Sequence, residues 1–201
     1  MGQPRERESE RPAATRRRGD ALEAAILEAA WAELAETGYP QLTMEGVAAR
    51  ARTGKQVLYR RWRNRAELVI AAMRHSTGSI ADDIPDTGSL REDVLTVLRR
   101  MAARQEQIGA DVIHGLMAEA VDIGPEFPAL MHDVLLAVLR QAERRGDIPA
   151  ADRSPRVVNL PADLTRHEML MTRRPVPDRV LTAIVDEVFL PLLTAAPHPA
   201  G

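Results

Sequence analysis

Apolar residues recur at three- and four-residue intervals along most of this chain, and the breaks between the runs fall on Gly, Pro and short polar clusters. That period is the signature of amphipathic helices. Leu22, Ile26, Trp31 and Leu34 mark a first helix that ends at Thr37-Gly38, where Gly can adopt the left-handed conformation that closes a helix. Thr43 is a good N-cap for a short helix through Met44, Val47, Ala48 and Arg50. Ala51-Arg52-Thr53-Gly54 forms a turn, and a second short helix runs from about Lys55 to Trp62. Asn64-Arg65-Ala66-Glu67 has the form of a capping box opening a longer helix through Leu68, Ile70 and Met73. Two short helices joined by a tight turn make a helix-turn-helix.

Residues 78–88 are polar and rich in turn formers, which marks a boundary. Ser89-Leu90-Arg91-Glu92 resembles another capping box, followed by Val94, Leu95, Leu98 and Met101 up to Gly109. A shorter helix is predicted over Asp111–Val121, then a strongly amphipathic one with Leu130, Val134, Leu135, Val138 and Leu139 ended by Arg144-Arg145-Gly146. Ser154-Pro155 opens a helix that Pro161 should kink or split, and a last helix spans about Pro177 to Thr194. The expectation is an all-α fold of about nine helices. It divides into a tail over 1–15, a helix-turn-helix domain over 16–63, a connecting helix over 64–78 and a larger helical domain over 79–196.

Composition sharpens this picture. Aromatic residues make up 3% of the 201, too few for a sheet protein of this size, and the apolar 45% is dominated by Ala, Leu and Val. With no cysteine, a disulfide framework and thiolate metal sites are excluded, and no pair of His falls at helical ligand spacing, so no metal or cofactor is expected. No run approaches the ~20 apolar residues that span a bilayer, which points to the cytoplasm and away from membranes. The tail mixes Arg, Glu, Pro and Ser with almost no apolar content and is expected to be disordered.

Charge is uneven. Residues 1–78 carry 14 basic against 10 acidic side chains, and the remainder 13 against 19. Between Arg50 and Arg65 lie seven cations, Arg50, Arg52, Lys55, Arg60, Arg61, Arg63 and Arg65, with no acid among them, and Lys55 is the only lysine of the chain. A solvated face is one reading of this block; contact with phosphate is the other. In the second short helix Leu58 and Trp62 are four apart and share a face, which leaves Gln56 and Arg60 outward with Lys55, Tyr59 and Arg63 beside them. A helix of this kind suits the major groove, because Arg or Lys pairs with guanine and Gln with adenine through two bonds. Thr43, Tyr59 and Arg65 are placed for phosphate, which sets register, although Tyr59 also reads as a packing residue. Arg16, Arg17 and Arg18 add a backbone or minor-groove contact.

In the stretches T-M-E-G-V-A-A-R-A at 43–51, K-Q-V-L-Y-R-R-W at 55–62 and N-R-A-E-L at 64–68, the chain resembles the TetR family of transcriptional regulators. T-R-R-P at 172–175 and the helix after it look similar to the dimerising end of an actinobacterial-type subgroup. Two departures stand out: Arg52 replaces the usual turn glycine, and Gly54 replaces the usual Ser or Thr cap. The resemblance implies double-stranded DNA bearing a palindromic operator as partner, a small-molecule effector of unknown identity, and a homodimer. It further implies that the later helices form an effector pocket. Met101, Met117, Met131, Met169 and Met171, with Ile108 and Leu135, offer its adaptable walls and His114, His132 and His167 its polar handles, although core packing is the favoured reading of each Met. The last two helices would then hold the dimer through Leu164, Leu181, Ile184, Val185, Val188 and Phe189, unless that stripe is buried within one chain. The function expected is a ligand-responsive repressor. A non-specific nucleic-acid-binding protein is the alternative, and a helical enzyme for a small hydrophobic substrate lacks any supporting constellation.

Overall fold

The computed structural model describes residues 11–119, 126–172 and 174–194, with side chains described from residue 19 onward and again from residue 129. Among the described residues all regular structure is helical. The chain divides into two units, residues 1–78 and 79–201.

The first unit holds α1 (Arg11–Thr37), α2 (Met44–Arg50), α3 (Lys55–Tyr59) and α4 (Arg65–Thr77). Helix α1 begins inside the segment expected to lack structure, where Pro12 suits a first helical turn and Ala13-Ala14 favour its continuation. Residues 1–10 of that expected tail lie outside the described residues. Ile26, Ala30 and Leu34 carry its buried stripe, whereas Leu22, assigned to the same stripe by spacing, is 36% exposed. The stripe packs on α4 and α2. Gly38, at φ +74°, closes α1 by donating its N–H to the Leu34 carbonyl at 3.0 Å. Gly46 brings α2 close to α1, since a Cβ there would lie 2.9 Å from Glu33 Oε1.

The second unit holds α5 (Leu90–Ile108), α6 (Ala110–Ala118), α7 (Glu126–Arg145), α8 (Pro155–Thr172) and α9. The last of these comprises Asp178–Ala183, a π-helical stretch Ile184–Phe189 and a final α-helical turn Leu190–Thr194, without a break. Its core joins Val94, Leu95 and Leu98 of α5 to Val134, Leu135, Val138 and Leu139 of α7, Val158 and Ala162 of α8, and Val185 and Phe189 of α9. Helix α6 is shorter than predicted, and Val121 lies outside the described residues.

Three local expectations need correction. Ser89 makes no side-chain cap; instead Asp147 Oδ2 accepts from Leu90 N at 3.2 Å. Of the kink or split expected at Pro161, the split does not occur: α8 runs through it, and Thr165 Oγ1 donates to the Pro161 carbonyl at 2.8 Å. The apolar stripe of α9 is not, as a whole, a surface: Leu181, Ile184, Val185 and Phe189 are buried in the core of this unit. Only Val188, 38% exposed, and Leu192, 44% exposed, face out among its apolar residues, with Leu164 of α8 half-buried. The π-helical stretch explains the division. There each residue advances by about 80° instead of about 100°, which turns Phe189 and Leu193 onto the core face and swings Val188 and Leu192 out of it.

A buried charge fixes the junction of α5 and α7. Asp93 is fully buried and accepts from Thr87 N at 2.6 Å and from Arg145 Nη2 at 2.9 Å. Arg145 also bonds Asp86 and Asp147. Removing one partner of a buried pair strands the other charge. Arg145→Met should therefore cost about 3 kcal/mol or more, and Asp93→Asn in the same chain should restore part of it. Urea unfolding of the three chains checks this; equal midpoints for the parent and Arg145→Met would reject the assignment.

Candidate nucleic-acid interface

Helix α2 starts on Thr43, whose Oγ1 accepts from Gly46 N at 3.0 Å, and ends in a turn with a defined bond pattern. Arg52 N donates to Ala49 O at 3.1 Å and Thr53 N to Ala48 O at 3.0 Å, the paired bonds of a Schellman motif. The motif needs a left-handed residue after the cap, and that residue is Arg52, at φ +52°. It is the one non-glycine residue with positive φ among the described residues. Of the two outcomes open for the missing turn glycine, strain or another geometry, the chain takes strain. For an L-residue this costs about 1–2 kcal/mol.

Helix α3 follows directly. Its N-cap Gly54 makes no side-chain bond, and α-helical bonding ends at Tyr59, earlier than the predicted Trp62. The backbone stays coiled a little longer, with Arg61 N and Trp62 N both donating to Leu58 O at 2.9 Å. Leu58 is fully buried and Trp62 is 8% exposed, so the predicted inner face is real. Gln56, Tyr59 and Arg60 point to solvent; at 48% exposed, Tyr59 is not a packing residue. Thr43 is exposed too, and its hydroxyl proton is left to donate outward.

The seven cations separate into two groups. Arg50 bonds Glu33 at 2.7 Å and also Glu36, tying α2 to α1, and these carboxylates hold its guanidinium well above its ordinary pKa. Arg61 bonds Glu23 and the Gly19 carbonyl of α1. Arg65, expected on phosphate, instead reaches the carbonyls of Tyr39, Pro40 and Leu42 at 3.4, 3.4 and 3.3 Å and lies 4.8 Å over the Tyr39 ring. It pins the loop between α1 and α2. These three cations hold the unit together.

Arg52, Lys55, Arg60 and Arg63 are the exposed remainder. Lys55 sits 3.5 Å from Glu45, both largely exposed, a pair too solvated to immobilise it. Arg63 bonds Glu67, and Asn64 Oδ1 accepts from Glu67 N at 2.9 Å. Burial works against the Glu67 charge, but bonds from Arg63, backbone N at 2.8 Å and side chain, outweigh it and lower its pKa. The predicted capping box thus closes one residue early, on Arg63 N in place of Asn64 N. The side chain of Arg18 lies outside the described residues.

The positions assigned to a pocket in the second unit differ in their surroundings. Met131 and Leu135 are buried in the core, with Met101 packed against it. Ile108 is buried and Met117 half-buried. His167 is exposed on α8 and is no polar handle for an interior site. His114 has both ring nitrogens at backbone carbonyls, Ala110 at 2.9 Å and Leu170 at 3.0 Å, so it ties α6 to α8. Gln105, unremarked in the sequence, is 4% exposed with its carbonyl oxygen unpaired. Of the three His read as polar handles, His132 lines a groove of about 430 Å³, together with Leu136, Arg140 and Glu143 of α7, residues 151–153 and Pro155.

A short helix packed on α2 and held by its buried apolar face, presenting Lys55, Gln56, Tyr59 and Arg60 outward, defines a helix-turn-helix DNA-binding unit. Residues 26–72 match the family described as "Bacterial regulatory proteins, tetR family", and residues 84–188 match "Tetracyclin repressor-like, C-terminal domain". The chain belongs to the TetR family of transcriptional regulators. It is 36% identical over 169 residues to an uncharacterized HTH-type transcriptional regulator of Mycobacterium tuberculosis, covering 80% of this chain and 82% of that one. It is 31% identical over 185 residues to the DNA-binding transcriptional repressor TetR of Mycobacteroides abscessus, covering 88% and 96%. Among solved structures, the TetR family transcription regulator SCO0332 superposes with a TM-score of 0.62 at 24% identity, covering 84% of this chain and 96% of the other. Thermus thermophilus FadR, solved with lauroyl-CoA, gives 0.61 at 18%, covering 89% and 100%. At these identities the two structures speak for the fold.

Gly54 offers a direct check on how α3 is held. Its backbone is extended, φ −81° and ψ 141°, and a Cβ there meets nothing within 4 Å. Gly54→Ser should supply the missing cap and stabilise the unit by a few tenths of a kcal/mol, roughly. A urea midpoint that does not rise would show that the cap is not what limits this helix.

Proposed function

We propose that this regulator is a homodimeric repressor that binds a palindromic operator in the cytoplasm and is released by a small-molecule effector. The outward face of α3 is the observation that carries the DNA half of this reading. Gln56 and Arg60 supply the base-reading chemistry, while Lys55, Tyr59, Arg63 and Thr43 set the register on phosphate. Two such helices in a dimer, spaced about 34–36 Å, match half-sites one turn of DNA apart. The effector binds the second unit and favours a spacing of the two heads that no longer fits the operator, so affinity falls by population shift. That the repressor of Mycobacteroides abscessus aligns over most of both chains supports the sign of regulation.

Selection of binding sites from random duplex DNA at near-physiological salt tests the DNA half of this reading. A palindrome is the expected product. Enrichment of no sequence, with affinity governed by salt alone, would favour non-specific nucleic-acid binding. Given a site, Gln56→Ala and Arg60→Ala should each change which bases are tolerated, at roughly 1–3 kcal/mol per reading contact. Equal losses on every sequence would contradict base reading.

The dimer surface in this proposal is narrower than the apolar stripe of α9 suggested. It centres on the exposed Val188 and Leu192 of α9 and includes the half-buried Leu164 of α8. Because Val188 is outside the core, Val188→Glu should leave the helical content intact and halve the mass in solution. An unchanged mass would place the interface elsewhere.

A further inference from the structure

We propose that Arg52 is a DNA phosphate contact, and that the strained turn in front of α3 exists to present it; this rests on the DNA-binding reading above. The same chain supplies an internal comparison. Helix α7 ends in the same motif, with Gly146 N donating to Glu143 O at 3.0 Å and Asp147 N to Ala142 O at 2.9 Å, and the left-handed residue there is a glycine at φ +84°. Helix α1 also ends on a left-handed glycine, Gly38. At these helix ends the chain uses the residue that adopts the conformation without a Cβ penalty. At the end of α2 it uses an arginine.

The fold gains nothing from that side chain. Both closing bonds of the turn at Arg52 are made by backbone atoms and would form equally with glycine. The side chain is exposed and has no hydrogen-bond or ion-pair partner among the described residues. Its neighbours behave otherwise: Arg50, Arg61 and Arg65 are each bonded to α1 or to the loop after it. An unpaired guanidinium held in an unfavourable backbone conformation serves something outside the unit. Its position selects the partner. Arg52 lies two residues before the N-cap of the helix that presents Lys55, Gln56, Tyr59 and Arg60, so DNA seated on that helix brings its backbone to the same edge. Guanidinium is the side chain best suited to two-point bonding of phosphate oxygens.

Four chains separate charge from strain: the parent, Arg52→Lys, Arg52→Gln and Arg52→Gly. Each is titrated on a fluorescent duplex of random sequence and on the duplex recovered by selection, at several salt concentrations between about 50 and 200 mM. Thermal unfolding is followed in parallel. Arg52→Lys should keep the parent's dependence of log affinity on log salt. Arg52→Gln keeps the strain but loses the charge, and its slope should be shallower by about 0.9, the share of one phosphate on duplex DNA. Arg52→Gly should show the same shallower slope while unfolding at a higher temperature than the parent. Stability and affinity moving in opposite directions is a signature that a merely structural arginine does not produce. Parent-like slopes for Arg52→Gln and Arg52→Gly on both duplexes would overturn the proposal. An unaltered chain that binds neither duplex would overturn the DNA-binding reading itself, and the proposal with it.

Discussion

A helix as short as α3 cannot persist alone in water, because nucleating its first turn costs more than its few hydrogen bonds return. Everything the first unit presents to a partner depends on how that helix is held. Leu58 and Trp62 do the holding, both buried in the first unit, where α3 packs on α2. Its N-terminus contributes little, since Gly54 caps nothing, and the turn before it is under strain at Arg52. The orientation of Gln56 and Arg60 is thus a property of apolar packing on the opposite face. A core substitution at Leu58 or Trp62 would misdirect the outward side chains without touching one of them.

Basic charge in this unit does two jobs that sequence cannot separate. Arg50, Arg61 and Arg65 bond acids and carbonyls that lie 14 to 42 residues away in the chain. They hold α2, α3 and the α1–α2 loop in register around α1. Lys55, Arg60, Arg63 and Arg52 are left at the surface. Glu67, bonded to Arg63 and held ionised, extends the same logic to the start of α4.

Local features were legible in the sequence, and features that depend on distant partners were not. The Thr43 cap, the Gly38 and Gly146 helix ends, the Asn64 cap and the Leu58/Trp62 face all follow from residues within four or five positions of one another. The departure at Arg52 was legible for the same reason, although sequence left strain and a different turn geometry both open. The intramolecular contacts of Arg65 were not legible because its acceptors, the carbonyls of residues 39, 40 and 42, belong to a loop distant in sequence, in a unit where α1 packs on α4. Ser89 looked like a cap because the acid that serves Leu90 N is Asp147, 57 residues on. In the second unit the periodic pattern found the helices but could not tell wall from core. His114 and His167 have equal standing as sequence positions; one ties two helices through backbone carbonyls and the other is exposed on α8.

The last helix shows how a regular period can mislead about a face. Leu181, Ile184, Val185, Val188, Phe189 and Leu192 form a single stripe only if every residue advances by about 100°. The π-helical stretch slows that rotation over six residues, so the stripe divides. Leu181, Ile184, Val185, Phe189 and Leu193 seal the core, and Val188 with Leu192 turn toward the outside. The flank carrying Asp186 is held by Arg91 of α5 through bonds of 2.7 and 2.8 Å, which fixes the rotation of α9 about its axis. One helix thereby carries both a complete core face and a separate apolar edge. Neither face has to be uncovered for the other to be used, so the dimer proposed above would leave the core face of α9 covered.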